Sequence, residues 1–389
     1  MVYLDNNATT PIDRRVYEAM SPYLFEKFGN PSTLYSIGAE ARAAVEEARK
    51  RVADLVGARP DEIVFTGCGS ESDNMALKGV AFAHMERGKH IIVSSIEHHA
   101  VLNTAAYLEK IGFEVTYLPV DRYGMVDPDD LRRAIRSDTV LVSIMLANNE
   151  IGTIQPVKEL CSVSHEKGVL FHTDAVQAAG KLKIDVEELG VDLLSLSAHK
   201  IYGPKGVGAL YIRKGTKIHP LIHGGHQERG RRAGTENVAG IVGFGKAAEI
   251  ALQEMEEEAV RIAELRDRLE MGILERIEDV IVNGHPERRL PNTTNISFCY
   301  IEGEAIILKL ASRGIYASTG SACSSDTLEP SHVLMAIGLS PEVGHGSVRF
   351  SLGKFNTADD VDRTLEVLPE VVSNLREMSP FWRRKNVQR

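Results

Sequence analysis

A lysine, an aspartate and a glycine-serine turn, each at the end of an apolar run, are the residues of this chain whose types could do chemistry together. The run from Asp192 to Ser197 has strand character and drops at Ala198-His-Lys200 into a polar turn punctuated by Gly203 and Gly206. A lysine held there against a core sheet is desolvated, which lowers its proton affinity and frees the amine to attack a carbonyl. The competing reading is a solvent-facing lysine at a turn. Asp174 closes the run that begins at Val169, where it could either cap a following helix or face a cationic ring nitrogen. The run Glu62 to Thr66 leads into Gly67-Cys-Gly-Ser-Glu71 and then a helical pattern from about Ser72 to Ala83. Strand, glycine-rich turn and helix start together offer unpaired backbone N–H groups to a phosphate. Pyridoxal phosphate needs a lysine for its aldehyde, a carboxylate for its ring nitrogen and a phosphate cradle. Lys200, Asp174 and the Gly69-Ser70 pair could supply them, and His98 could either stack on the ring or simply open a helix.

Cys323 adds a nucleophile. It lies in Ser321-Ala-Cys-Ser-Ser-Asp-Thr-Leu-Glu-Pro330, a segment too polar for core. A free thiol titrates near about 8.5, so only a few per cent is thiolate at neutral pH, yet that fraction is strongly nucleophilic. Cys161 and Cys299 fit buried thiols better, and Cys68 beside the phosphate turn has no evident catalytic part. With four scattered cysteines and no C-x-x-C pair, neither a disulfide framework nor a zinc site is indicated. No resident metal is expected, and Cys323 is at most a transient iron-sulfur ligand. A cysteine or serine hydrolase using His332 or His345 would leave Lys200 and Asp174 without work, and there is no G-x-S-x-G elbow. An aminotransferase would use the lysine and need no thiol. A non-enzymatic partner that only holds iron or sulfur would need neither the lysine nor the aspartate.

The elements that must position these groups follow from periodicity. Apolar runs at 62–66, 90–94, 114–119, 139–146, 169–173, 193–197 and 207–212 alternate with helical patterns at 98–111, 128–135 and 157–166. This predicts an α/β fold, a mostly parallel seven-stranded sheet with helices on both faces. Sites in such sheets collect at the carboxyl ends of strands, and Ser70, His98, Asn149, Asp174 and Lys200 each follow one. The spacing predicts a strong helix from Ser36 to Val56, stopped by Gly57, and a long one from Val238 to Ile277. Within the latter, the charged run Glu254 to Glu258 reads as a solvated face or a hinge. Strands at 295–298, 314–317 and 347–351, interleaved with helices at 303–312, 330–337 and 358–375, predict a smaller α+β domain. The expected division is a large cofactor-binding domain, 14–255, and a small domain, 1–13 and 256–389, that carries the cysteine segment. The basic tail from Trp382 is expected to fray.

With 389 residues, 43% of them hydrophobic, the chain can bury two cores. A net charge of −9 argues against nucleic-acid and polybasic membrane partners. No signal-peptide pattern opens the chain and no 18-residue apolar run occurs, so a soluble cytoplasmic protein is expected.

Several motifs carry a resemblance, in order along nearly the whole chain: Leu4-Asp-Asn-Asn-Ala-Thr-Thr-Pro11, Glu97-His-His-Ala-Val101, Asn148-Asn-Glu-Ile-Gly152, His172-Thr-Asp-Ala-Val-Gln177, Ser197-Ala-His-Lys-Ile-Tyr-Gly-Pro-Lys-Gly206, Arg232-Ala-Gly-Thr235 and Ser318-Thr-Gly-Ser-Ala-Cys323. In these the chain resembles the cysteine desulfurases of the NifS/IscS type, fold-type I pyridoxal-phosphate homodimers of the class V aminotransferase superfamily. The resemblance implies that Lys200 carries the cofactor and takes the substrate's α proton, that Asp174 pairs with the ring nitrogen, and that Gln177 bonds the ring hydroxyl. It further implies Asn149 beside that hydroxyl and the substrate, His98 on the ring face, and Ser70, Ser197 and His199 on the phosphate. Thr235 would reach the phosphate bound in the partner subunit. Arg349, in Val348-Arg-Phe-Ser351, would clamp the substrate carboxylate, for which a planar guanidinium is suited. Cys323 would attack the sulfur of L-cysteine, leaving alanine and a persulfide for an iron-sulfur scaffold or another acceptor, carried outward by a swinging loop. A selenocysteine lyase would share most of these parts. Two departures stand out: Gly69-Ser70 replaces the usual Ala-Thr, keeping backbone N–H groups and a hydroxyl, and Gln227 enters the turn Gly224 to Gly230, where the family runs from histidine to glutamate.

Overall fold

In the computed structural model of the protein, residues 1–320 and 330–382 are described. The strands are β1 (Val2–Tyr3), β2 (Ile63–Thr66), β3 (His90–Ser94), β4 (Glu114–Leu118), β5 (Thr139–Ser143), β6 (Leu170–Asp174), β7 (Leu193–Ser197), β8 (Gly208–Ile212), β9 (Val280–Asn283), β10 (Thr293–Phe298), β11 (Ile315–Tyr316) and β12 (Ser347–Ser351). The helices are α1 (Arg14–Met20), α2 (Pro22–Phe25), α3 (Ser36–Val56), α4 (Gly69–His84), α5 (His99–Lys110), α6 (Pro128–Ala134), α7 (Val157–Glu166), α8 (Val186–Leu189), α9 (Val238–Arg276), α10 (Gly303–Ser312), α11 (His332–Ala336), α12 (Pro341–His345) and α13 (Ala358–Met378).

The seven expected runs form one sheet, ordered β2-β8-β7-β6-β5-β3-β4. Every residue of β3, β5, β7 and β8 is buried, which is why these strands read as continuous apolar runs and not as alternations. Alternate side chains serve opposite faces: Ile92, Val142 and Leu194 pack under α3, α7 and the first half of α9, whereas Ile91, Val93, Leu141 and Leu193 pack under α4 and α5. β8 alone runs antiparallel to its neighbours. The stretch from Ala198 to Val207 is too short for the helical crossover that a parallel return requires. Two reversals make β2 parallel to β7, so the carboxyl ends of β2, β3, β5, β6 and β7 share one edge. Strand order reverses between β3 and β5, which opens a crevice at that edge. Gly208, at the start of β8, lets three backbones meet there, since a Cβ would lie 2.7 Å from both Cys68 C and Leu196 O.

A separate core joins the second half of α9, through Ile262, Leu269 and Ile273, to α13, β10 and β12. It covers the antiparallel sheet β12-β10-β9. The expected strand at 314–317 is shorter and pairs with the N-terminal β1 in parallel, apart from that sheet. Neither β1 nor β9 was legible: β1 is two residues long, and β9 is half exposed beside Glu278 and Asp279. α4 begins at Gly69, three residues earlier than periodicity indicated, because Cys68 caps it, its sulfur accepting from the Glu71 N–H at 3.4 Å. The strand expected at 139–146 stops at Ser143. Trp382 does not fray: the Arg376 guanidinium lies 4.6 Å over its ring, and Tyr300 packs at 5.6 Å. Residues 383–389 lie outside the described residues. No helix among the described residues is long and apolar enough to cross a membrane.

Candidate active site

The crevice holds a cavity of about 320 Å³ whose lining includes Gly69, Ser70, His98, Asn149, Asp174, Gln177, Ser197, His199, Lys200 and Arg349. Residues from five strand ends and from the second core thus converge on one volume. Thr235 is not among them; it lines a separate cavity of about 120 Å³ with Gly67 and Arg232. Cys323 and the segment 321–329, including the expected swing of its loop, lie outside the described residues.

Lys200 ends a single 3-10 turn, Ala198–Lys200, directly after β7. The solvent-facing reading fails, because its ammonium turns inward and donates to the carbonyls of Asn7 at 2.5 Å and Ala8 at 2.8 Å. The N-terminal segment is held there by the second core, where Asn6 N–H donates to Ser351 O at 3.0 Å. Gln177 donates to the same Asn7 carbonyl at 2.8 Å. Asn7 and Ala8 are therefore parts of the site that residue-by-residue reasoning missed: they act through backbone carbonyls, which any residue could provide.

No helix directly follows Asp174, so it caps none; it closes a turn and faces the cavity. Oδ1 accepts from Val176 N–H at 2.8 Å in the turn after β6, and the carboxylate faces the cavity. Burial raises its proton affinity, against the opposing pull of that hydrogen bond and of the Lys200 charge. Beneath it lies Asp73 of α4, 1% exposed, whose Oδ1 has no hydrogen-bond partner and whose affinity is raised by burial and by Asp174. Glu97, 0% exposed, is pushed up to about 8, first by burial. Burial thus favours the protonated form of all three acids, of which Asp73 and Asp174 line the cavity. Asp73 and Glu97 gave little warning in sequence: one sits on a helix face, the other just before a more conspicuous histidine.

The phosphate end is assembled from α4 and β7. Gly69 and Ser70 occupy the first turn of the 16-residue α4, where backbone N–H groups have no intrahelical acceptor. Ser197 Oγ is buried at the cavity wall without a partner. His199 Nδ1 lies 3.1 Å from Thr9 Oγ1, and burial followed by the Lys200 charge lowers it to about 4. His98 caps α5: its Nδ1 accepts from Ala100 N–H at 3.1 Å, so the neutral ring carries its proton on Nε2. Burial, then the Lys200 charge, lowers it to about 4.

Arg349 on β12 lines the same cavity and is 2% exposed. Nη2 donates to Asp5 at 2.6 Å and Nη1 to Asn149 O at 3.0 Å, while Nε has no partner. Nearby, Glu150 accepts from Ser331 Oγ at 2.5 Å, and His332 packs on His99 at 4.8 Å, its Nε2 donating to Glu97 O at 2.9 Å. No role was assigned to His99 or Glu150 from sequence, and both line the cavity.

These residues fit pyridoxal phosphate. The unpartnered Ser197 hydroxyl and the first-turn amides of α4 offer donors to a phosphate. The buried Asp174 offers a carboxylate to a protonated ring nitrogen, and Lys200 brings an amine between them. Around this geometry the comparisons agree. The aminotransferase class-V family matches residues 2–364. The cysteine desulfurase IscS of Dictyoglomus turgidum is 60% identical over 380 residues, covering 98% of this chain and 96% of that one. That of Methanosarcina thermophila is 62% identical over 380 residues, covering 98% and 94%. Among solved structures, a NifS-like protein superposes with a TM-score of 0.91 at 45% identity over 96% of this chain and all of its own. SspA, solved in complex with cysteine, gives 0.82 at 40% identity over 92% of this chain and all of its own. The chain belongs to the class-V aminotransferase family, and within it to the pyridoxal-phosphate-dependent cysteine desulfurases of the NifS/IscS type.

Proposed function

We propose that this chain takes the sulfur atom from L-cysteine, releasing L-alanine, with Cys323 as the thiol that receives it. The reading is carried by the inward-turned Lys200 amine, which shares one cavity with the buried Asp174 carboxylate and the Arg349 guanidinium. Bound pyridoxal phosphate supplies an aldehyde for the substrate amine and a ring that draws electrons from the substrate carbons. Arg349 holds the substrate carboxylate through its guanidinium. Lys200 Nζ removes the α proton and later returns a proton to carbon. Asp174 keeps the ring nitrogen's positive charge in place, and His98 covers one ring face. Cys323 Sγ forms a bond to the substrate sulfur as the substrate's carbon-sulfur bond breaks. The electron pair stays with carbon, which is then protonated, and the sulfur remains on Cys323 as a persulfide.

The acceptor in this proposal is an iron-sulfur scaffold protein or another sulfur carrier, in a cytoplasmic setting. A homodimer belongs to the same reading, with Thr235 serving the partner subunit's cofactor. The exposed apolar side chains Leu24, Phe25, Phe28, Leu34 and Tyr35 support a covered face on this chain. We also read 14–255 as the cofactor domain and 1–13 with 256–389 as the small one; the two cores that meet on α9 support that division.

Incubation of the protein with L-cysteine, with alanine and sulfide both assayed, tests the activity. The parent is expected to yield both in step. Lys200→Ala is expected to lose the visible absorbance of the bound cofactor, and Cys323→Ala to keep it while losing sulfide release. Parental turnover in Cys323→Ala would remove the thiol from the scheme.

A further inference from the structure

Lys181 is a charged group at the back of this site for which the chemistry above has no use. It follows Gly180, whose left-handed conformation (φ +70°) folds the chain back after β6. The side chain returns toward Gln177, four residues earlier, with Nζ donating to Gln177 O at 2.9 Å and lying 3.5 Å from Gln177 Oε1. On the other side of that amide, Gln177 Nε2 donates to Asn7 O. The Lys181 amine has N–H groups to donate in either protonation state, and a carbonyl can only accept. Two independent neighbours therefore dictate the same amide orientation, Oε1 toward Lys181 and Nε2 toward Asn7. The second N–H of Nε2 is left for the cavity that Gln177 lines.

The charge of Lys181 has no carboxylate partner among the described residues. A small cavity of about 50 Å³ lies between it, Lys200 and α9, and the charged groups facing that space are otherwise engaged. Glu254 pairs with Arg15 at 2.6 Å, Glu258 with Arg261 at 2.9 Å, and Lys354 with Asp13. Burial, then the Lys200 charge, lowers Lys181 to about 7, and Lys181 in turn is one of the charges that disfavour protonation of His199. Asp174 and Asp73, the acids of the same crevice, face the cavity on its other side.

We infer that Lys181 is a positioning residue of the cofactor site: it fixes the Gln177 amide with an N–H toward the cofactor. This rests on the reading that pyridoxal phosphate occupies the cavity with its ring hydroxyl beside Gln177. Lys181 touches neither cofactor nor substrate. The N–H that it orients stabilises negative charge on the ring hydroxyl, which lowers the pH at which the attached cofactor gives up its proton.

The test is a pH titration of the visible absorbance of the purified holoenzyme, from pH 6 to 10, with the parent, Lys181→Met and Lys181→Arg. Lys181→Met is expected to raise the midpoint by about one unit, a tenfold change in proton affinity. Lys181→Arg, which keeps N–H donors beside Gln177, is expected to return most of the shift. If Lys181→Met does not fold, Lys181→Leu takes its place, with the same upward shift expected. A parental midpoint in the apolar variant, or an equal shift in Lys181→Arg, would overturn the inference. A parent that binds no pyridoxal phosphate at all would instead overturn the reading of the cavity beneath it.

Discussion

Arg349 Nη2 and Asp5 meet at 2.6 Å, joining the outer strand β12 of the second core to the N-terminal segment whose carbonyls hold Lys200. One ion pair thus connects the group that would bind the substrate carboxylate to the stretch that positions the amine. Because Arg349 is 2% exposed and Nε is unpartnered, its remaining hydrogen-bonding capacity points to a planar acceptor in the cavity. Arg349→Lys keeps the charge and loses the fork. It is expected to raise KM for L-cysteine about 10- to 100-fold, by the loss of about 1.4 to 3 kcal/mol, while the cofactor absorbance is unchanged. An unaltered KM would show that the carboxylate binds elsewhere.

Ser197 Oγ is buried and unpartnered in the chain alone. A hydrogen bond to a charged phosphate contributes roughly 1.5 kcal/mol. Ser197→Ala is therefore expected to weaken pyridoxal phosphate about tenfold, measured by equilibrium titration of the cofactor-free chain. The same variant should unfold at no lower denaturant concentration than the parent when both lack cofactor, because it removes an unsatisfied buried hydroxyl. A loss of stability without cofactor and no loss of affinity would contradict both statements.

Glu97 sets a pH dependence. Its carboxyl accepts from Ser94 Oγ at 2.5 Å and Met145 N–H at 2.9 Å through one oxygen, while the other has no partner. Burial raises it from the ordinary 4.5 to about 8. The folded chain then binds more protons than the unfolded chain between those values, so the contribution of Glu97 to stability is full below about pH 4.5 and declines as pH rises to about 8. Glu97→Gln cannot ionise and should remove that part of the decline, a difference on the order of a few kcal/mol. Denaturant unfolding of the two chains without cofactor at pH 5 and pH 8 measures it. Parallel pH trends in parent and variant would mean that Glu97 is ionised when folded.

Arg49 and Glu228 form a buried two-pronged pair at 2.6 and 2.9 Å. The guanidinium lies 4.8 Å over Phe65, and the Phe65 N–H donates to Glu228 at 3.0 Å. Glu228 adopts φ +47° within the loop that carries Gln227 and leads to Thr235, so the pair ties that loop to β2. Arg49→Met leaves a buried charge uncompensated and should cost about 3 to 5 kcal/mol of unfolding free energy. Adding Glu228→Gln should recover a large part of it. No recovery in the double variant would place the cost in lost packing on Phe65.

All seven strands of the main sheet and the long helices were legible because each buries a face, and burial imposes a period on the sequence. β2 to β8 fall within a residue of the apolar runs except at the end of β5, which stops three residues early, and α3 matches from Ser36 to Val56. The short pieces were not: β1 and β9 hold their places through partners distant in sequence and carry too few apolar residues to show a period. The candidate site was readable where a side chain stands at or just after a strand end, as with Lys200, Asp174, Ser70 and His98. It was unreadable where the backbone acts, as at Asn7 and Ala8, and where a group matters through its burial, as with Asp73.

By itself the amino-acid order determined the parts: a lysine, an acid and a phosphate turn at the ends of buried strands, an arginine in an apolar strand, and a thiol in a polar segment. Side-chain chemistry and hydrophobic period are local properties, so they are written locally. Only the tertiary structure decided that Lys200 turns inward onto the N-terminal carbonyls, that Arg349 crosses from the second core to the same cavity, and that Lys181 stands behind Gln177. Those relations depend on which distant segments pack together and on what water is excluded between them, and no stretch of sequence carries that information alone.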